Sequence, residues 1–267
     1  MGAGAHGSRP GVGGGRCVGR CVPEAVSRDG RALGLVAVAV AYGVRESRPV
    51  AVGVGGVGGA SSLGASSLRE AFSDGRLVAL LGAGVLLYYV FTQDWQAVPV
   101  YATNYVGVQD GAVGFLLGAN GLMVILFQIP VSGLVDRGSK AVALLAGAGL
   151  FALSALTLLV TDSFLGILLA FAGFFTLGEM VLEVAGASLA AELAPERLRG
   201  TYLALFGACF GAAYGLSPVV AGALLEAGLP DVIWKIQLGA AALAAAGLVV
   251  LRVISHQLSA KKPNADS

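Results

Sequence analysis

The sequence predicts an all-α polytopic membrane protein, a bundle of six transmembrane helices. Three observations carry that expectation. The chain has 267 residues, of which 56% are hydrophobic and only 12% charged, and its mean hydropathy is +0.81. A soluble domain carries about a quarter charged residues and could not hide this much apolar surface. Apolar runs of spanning length recur through roughly the last 200 residues. Basic residues, finally, collect in every second connection between those runs.

The spans come in a regular series. The first covers residues 77–106, starting at Leu77 and passing Phe91, Asp94 and Pro99 toward Val106. The second covers 111–135, the third 141–160, the fourth 164–186, the fifth 201–225 and the sixth about 236–254. Each reaches the roughly 17 residues that a helix needs to cross a bilayer. Arg69 and Arg76 precede the first span, Arg137 and Lys140 join the second to the third, and Arg197 and Arg199 join the fourth to the fifth. Arg252, Lys261 and Lys262 close the chain. The alternate connections hold Asp110, Asp162, Glu226 and Asp231, with Lys235 the one basic exception. Lys and Arg favour cytoplasmic loops, so both ends of the six-helix unit are expected in the cytoplasm, in an integral protein of the plasma membrane.

The flanks read differently. Residues 1–68 are rich in Gly, Ser and Arg, with low-complexity text at 11–15, 53–59 and 61–67. They are expected to form a disordered or surface-lying leader, or the remnant of a preceding helix. The apolar run at 32–44 is about 13 residues long, too short to span. Ala39-Val40-Ala41 has the form of a signal cleavage site but lies inside that run, not after it. Residues 255–267 are expected to be a cytoplasmic tail. Cys17, Cys21 and Cys209, with only His6 and His256 to add, make no ligand set for a metal. Nor is there a Ser/His/Asp set or a phosphate-cradling loop, so no enzyme and no cofactor are expected. A net charge of +1 gives no sign of a nucleic-acid partner.

Three passages carry a family resemblance. Gly133-Leu134-Val135-Asp136-Arg137-Gly138-Ser139-Lys140 is similar to the Gly-x-x-x-Asp-Arg-x-Gly-Arg-Lys loop of the major facilitator superfamily, one residue short before Asp136 and again before Lys140. Gly178-Glu179, followed by the run from Ala191 to Gly200, resembles the close of that family's tenth helix and the loop after it. Gly207, Gly211, Gly215 and Gly222, with Pro218, resemble its Gly-rich eleventh helix. From Arg69 onward the chain thus resembles the C-terminal six-helix half of such a transporter. The resemblance implies alternating-access movement of a small solute, with the lipid bilayer, protons and a second six-helix half (another copy or a separate chain) as partners. Proton-coupled efflux of lipophilic compounds is the expected activity. The alternatives are a truncated, inactive transporter fragment and a membrane assembly protein that does not transport.

Several side chains become candidates on that reading. Asp94, beside Gln93 and Gln96, is a carboxylate at membrane depth, which is costly unless it faces a cavity or a partner. It is either a substrate or proton site or, if the helix ends near Thr92, an outer interfacial residue. Asn120 and Gln128 either line a polar path or join neighbouring helices. Glu179 and Glu183 share one helix face and suit proton coupling, unless they pair with a basic loop residue. By resemblance, Gly133, Asp136, Arg137, Lys140, Glu192, Arg197 and Arg199 form a cytoplasmic gate in which Glu192 pairs with Arg137 and Arg199; otherwise these charges only set topology. The glycines at 207, 211 and 215 form a smooth strip expected to pack closely on another helix. Trp95 and Trp234 are expected to anchor the outer interface.

Overall fold

The computed structural model describes residues 64–260, with side chains through Ser255. The expectations for the leader up to residue 63, with Cys17, Cys21, His6 and the run at 32–44, lie outside the described residues. So do those for Lys261, Lys262 and the side chain of His256.

A short helix, α1 (Ala65–Ser73), leads into α2 (Gly75–Asn104). Then follow α3 (Asp110–Arg137), α4 (Lys140–Val160), α5 (Phe164–Leu193), α6 (Arg199–Glu226) and α7 (Pro230–Ala260). Among the described residues all regular structure is helical. Six helices, α2 to α7, are long and apolar enough to cross a membrane.

The connections explain themselves locally. Asp74 caps α2, its side chain accepting from the backbone N–H of Arg76. Arg137 ends α3 and Asp110 starts it, each charge opposing the helix dipole at its own end. At the end of α6, Gly228 takes φ +69. Its N–H bonds the Leu225 carbonyl at 3.0 Å and that of Leu229 bonds Leu224 at 2.9 Å, the paired bonds by which a glycine stops a helix.

Packing sorts the helices. α2 lies against α6 and α7, α4 against α5 and α7, and α3 rests mainly on α5. The core between them holds Leu80, Leu87, Val90, Leu144, Phe151, Phe171, Phe175 and Leu248. α3 is the most exposed: only 11% of its most apolar window is buried, against 50% for α2 and α5. Its outward Ile125, Ile129 and Leu134 suit an apolar surrounding, not water.

The structure corrects several expectations. The leader boundary at 68 falls inside α1, because Ala65 to Leu68 already belong to that helix. The sixth span begins at Pro230, not near 236, since Pro suits the first helical position and Asp231 the first turn. It also continues to Ala260, so the first residues of the expected tail are helical. α2 runs on through Pro99, and Asp94 is therefore no helix-end residue. Trp234 is fully buried, its ring edge-on to Tyr101 at 5.4 Å, and Trp95 packs on Phe171 and Phe175. Neither stands as an interfacial anchor.

The glycine strip meets no other helix among the described residues. A Cβ at Gly207, Gly211, Gly215 or Gly222 would meet nothing within 4 Å. Close approach happens elsewhere: Gly186 leaves room for the Phe206 ring, and Gly178 sits against Phe151 and the Gly147 carbonyl. Four-residue spacing identifies a face but not its neighbour.

Candidate functional site

One turn of α5 is not α-helical. Leu169–Phe175 is a π-helical segment, a widened turn that is frequent at functional sites. Its consequence is local. The Thr176 hydroxyl donates to the Phe171 carbonyl at 2.9 Å, five residues back, and thereby satisfies an acceptor in the widened turn. Phe171 and Phe175 stack at 4.9 Å between ring centres.

Just beyond that turn, two spans are joined by a polar contact. Asn120 of α3 donates from its amide to the Thr176 hydroxyl at 2.8 Å and to the Glu179 carboxylate at 3.0 Å. Asn120 is buried, Glu179 half-buried and Glu183 exposed one turn further on. Asn120 therefore joins helices and holds an acidic group at once. Gln128, two turns along α3, is half-buried.

An aromatic wall adjoins the acids. Phe91 stacks on Phe175 at 5.8 Å, and Tyr88 packs on Phe91 and Phe210 at 6.3 and 5.6 Å. Phe91, Trp95, Gln96, Phe210 and Tyr214, with Thr92, line a groove of about 360 Å³ between α2 and α6. Trp95 neighbours Glu179, and Tyr88 neighbours Glu183.

Asp94 belongs to a different place. It is fully buried, accepting from the Gln237 amide of α7 at 2.7 Å and from the Ser154 hydroxyl of α4 at 3.4 Å. It faces the inside of the bundle and is not among the residues that line the groove. Gln93 is fully buried as well, and neither of its polar atoms has a hydrogen-bond partner among the described residues.

With this geometry in place, comparison with known proteins decides the family. The family model described as Major Facilitator Superfamily matches residues 80–267. The chain belongs to the major facilitator superfamily. It is similar to the inner membrane transport protein YajR of Escherichia coli (strain K12), at 27% identity over 137 residues, 51% of this chain and 30% of that protein. It is also similar to an uncharacterized MFS-type transporter, MJ1560, of Methanocaldococcus jannaschii, at 29% identity over 129 residues, 48% of this chain and 32% of that protein. The matched stretch is about a third of each relative's length.

In this major facilitator chain, three of the charges expected to form a gate, Asp136, Lys140 and Glu192, lie close together. Lys140 donates to the carbonyls of Val135 and Asp136 at 3.2 and 3.0 Å, closing the end of α3. Its ammonium lies 3.9 Å from the Asp136 carboxylate and 3.8 Å from Glu192. Glu192 thus meets Lys140, not Arg137 or Arg199. Arg137 and Arg199 are exposed, and Gly133 lies half-buried on α3. Arg197 reaches away from this group to pair with Glu70 of α1.

A second contact at the same end of the bundle was not foreseen. The Tyr202 hydroxyl donates to Asp74 at 3.1 Å, and Arg76 donates to the same carboxylate at 3.2 and 3.3 Å. Burial works against ionisation of Asp74, but the Arg76 and Tyr202 hydrogen bonds outweigh it and hold the carboxyl below its usual 3.8. Sequence reasoning also passed over Ser154, Thr176 and Gln237. Each had a signal, since a polar side chain in the middle of an apolar span needs a partner.

Proposed function

We propose that this chain moves a small solute across the membrane by alternating access, as one six-helix half that works with a second. The second half is another copy or a separate chain, and the open glycine strip of α6 is compatible with such a neighbour. We further propose proton-coupled efflux of lipophilic compounds across the plasma membrane, with both ends of the six-helix unit in the cytoplasm.

One observation supports this most. A carboxylate at membrane depth, Glu179, is held by Asn120 beside an aromatic groove. A carboxylate can take up and release a proton, and the Asn120 amide fixes where this one stands. Large apolar rings next to it suit a lipophilic solute. The inner-end pairs of Lys140 with Glu192 and Asp136 are proposed as contacts that differ between the two access states and bias their balance.

Proteoliposomes carrying the protein and a pH-sensitive dye in their lumen test the proposal. Adding a lipophilic solute outside is expected to drive proton movement, and Glu179→Gln to abolish it while insertion stays normal. Unchanged coupling in that variant overturns the role of Glu179. Exchange of Lys140 and Glu192 is expected to restore part of the transport lost in either charge reversal alone.

A further inference from the structure

We propose that the widened turn of α5 is a register switch, held wide by Thr176 and Asn120 and released when Glu179 lets go of Asn120. Its connection to transport rests on the reading of Glu179 given above; the switch in the helix does not.

The Thr176 hydroxyl is the first argument. In α2 and α4, Thr92 turns its hydroxyl back to Tyr88 and Tyr89, Thr103 to Pro99 and Val100, and Thr157 to Leu153. Reaching three or four residues back is the ordinary habit of threonine in an α-helix. Thr176 instead reaches five residues back, to the Phe171 carbonyl, which also accepts the Thr176 backbone N–H. Both bonds belong to the wide form, because in an α-helical turn that N–H would bond Ala172.

The partners of this hydroxyl are the second argument. It accepts from the Asn120 amide at 2.8 Å, so its own proton must point elsewhere, and the Phe171 carbonyl takes it. The same amide nitrogen has a second hydrogen, which goes to the Glu179 carboxylate at 3.0 Å. The carboxylate thus fixes the amide, the amide fixes the hydroxyl, and the hydroxyl fixes the turn. Asn120, Thr176 and Phe171 are buried, so water has little access to this chain of bonds and each link bears on the next. An event that draws Glu179 away frees Asn120, and Thr176 loses the partner that aims it.

What the turn carries is the third argument. Phe171 and Phe175 are fully buried and stack on each other, with Phe171 edge-on to Trp95 at 5.5 Å. Narrowing the turn by one residue rotates the Phe164 end of α5 by about 100° against the segment that starts at Thr176. That rotation takes Phe171 from beneath Trp95 and swings the exposed Leu165 to another face. A packed ring either fits or is displaced, so the two registers are discrete states.

Nitroxide labels at Leu165 and Leu243, both exposed, read the angle of the Phe164 end by pulsed dipolar spectroscopy of the full chain in nanodiscs, with the native cysteines replaced. A control pair at Ala187 and Leu243 reads the part of α5 beyond the turn. The unsubstituted chain is expected to give one main distance for each pair. Thr176→Val and Asn120→Leu are each expected to add a second 165–243 distance, the loss of one hydrogen bond shifting the balance of forms about fivefold. The control pair is expected to stay unmoved. Thr176→Ser keeps the hydroxyl and is expected to match the unsubstituted chain, whereas Glu179→Ala is expected to add the same second distance as Asn120→Leu. An unchanged 165–243 distance in both Thr176→Val and Asn120→Leu overturns the switch. Equal broadening of both pairs also overturns it, since the whole bundle has then loosened. An unchanged distance in Glu179→Ala overturns the tie to that acid. A second distance in all three variants, with proton movement unaltered in Glu179→Gln, supports the switch and sinks only the transport role of Glu179.

Discussion

Asp94 and Glu179 are both carboxylates in spanning helices, and the bundle treats them in opposite ways. Asp94 is sealed between α2, α4 and α7 by Gln237 and Ser154. Its donors are what make its burial tolerable. Gln237→Leu removes the closer donor and leaves a buried acid short of a partner. That substitution is expected to cost about 1–3 kcal/mol, seen as a lower midpoint of thermal unfolding in detergent, while Gln237→Asn loses less. Asp74 supplies the matching test outside the membrane. Its folded-state pKa is depressed, so the stability it contributes is present above the unfolded pKa and is lost as pH falls through the folded value. Protection factors of the α1 amides, with the intrinsic pH dependence of exchange divided out, are therefore expected to fall below about pH 4. Asp74→Asn should remove that acid-dependent part, and an unaltered profile would show that the corner does not depend on this carboxylate.

At the level of elements, the glycines show what sequence can and cannot tell. The spacing of Gly207, Gly211 and Gly215 is real and puts them on one face of α6, yet that face is open. Gly186 carries no such pattern but lies under the Phe206 ring. Gly186→Ala is expected to destabilise the protein by about 1–3 kcal/mol through overpacking, unless the ring shifts. Gly211→Ala meets nothing and gains helix propensity, so it is expected to be neutral or stabilising by up to about 1 kcal/mol. Parallel melting curves decide between them, and equal effects would mean that the open face is covered. The π-helical turn at Leu169–Phe175 was likewise unreadable, since no residue type marks a widened turn. The six spans were legible for a simple reason: apolar length and charge punctuation are properties of one segment at a time. The partners of Asp94, Asn120 and Lys140 lie on other helices, and only packing selects among the candidates. Glu192 was matched to Arg137 and Arg199 by family pattern, whereas in the bundle Lys140 lies beside it.

For the whole molecule, the consistent statement is one of sidedness. Lys140, Glu192, Asp136, the pair of Glu70 with Arg197 and the Asp74 corner all lie at the same ends of α2 to α6. Asp110, Asp162, Glu226 and Asp231 lie in the opposite set of connections. An odd number of crossings separates any residue of one set from any of the other, whatever the orientation in the cell. Single cysteines at Asp110, Asp162 and Asp231, in a background with the native cysteines replaced, are therefore expected to react together with a membrane-impermeant maleimide. Cysteines at Arg137 and Arg199 are expected to be protected until the membrane is opened. The positive-inside tendency assigns the first group to the outer surface, so intact cells should label it and not the second. Labelling of the second group alone in intact cells would invert the orientation but leave the bundle untouched. Simultaneous labelling of Asp110 and Arg137 positions in sealed cells would mean that α3 does not cross, and the six-helix arrangement would then fail at its most exposed member.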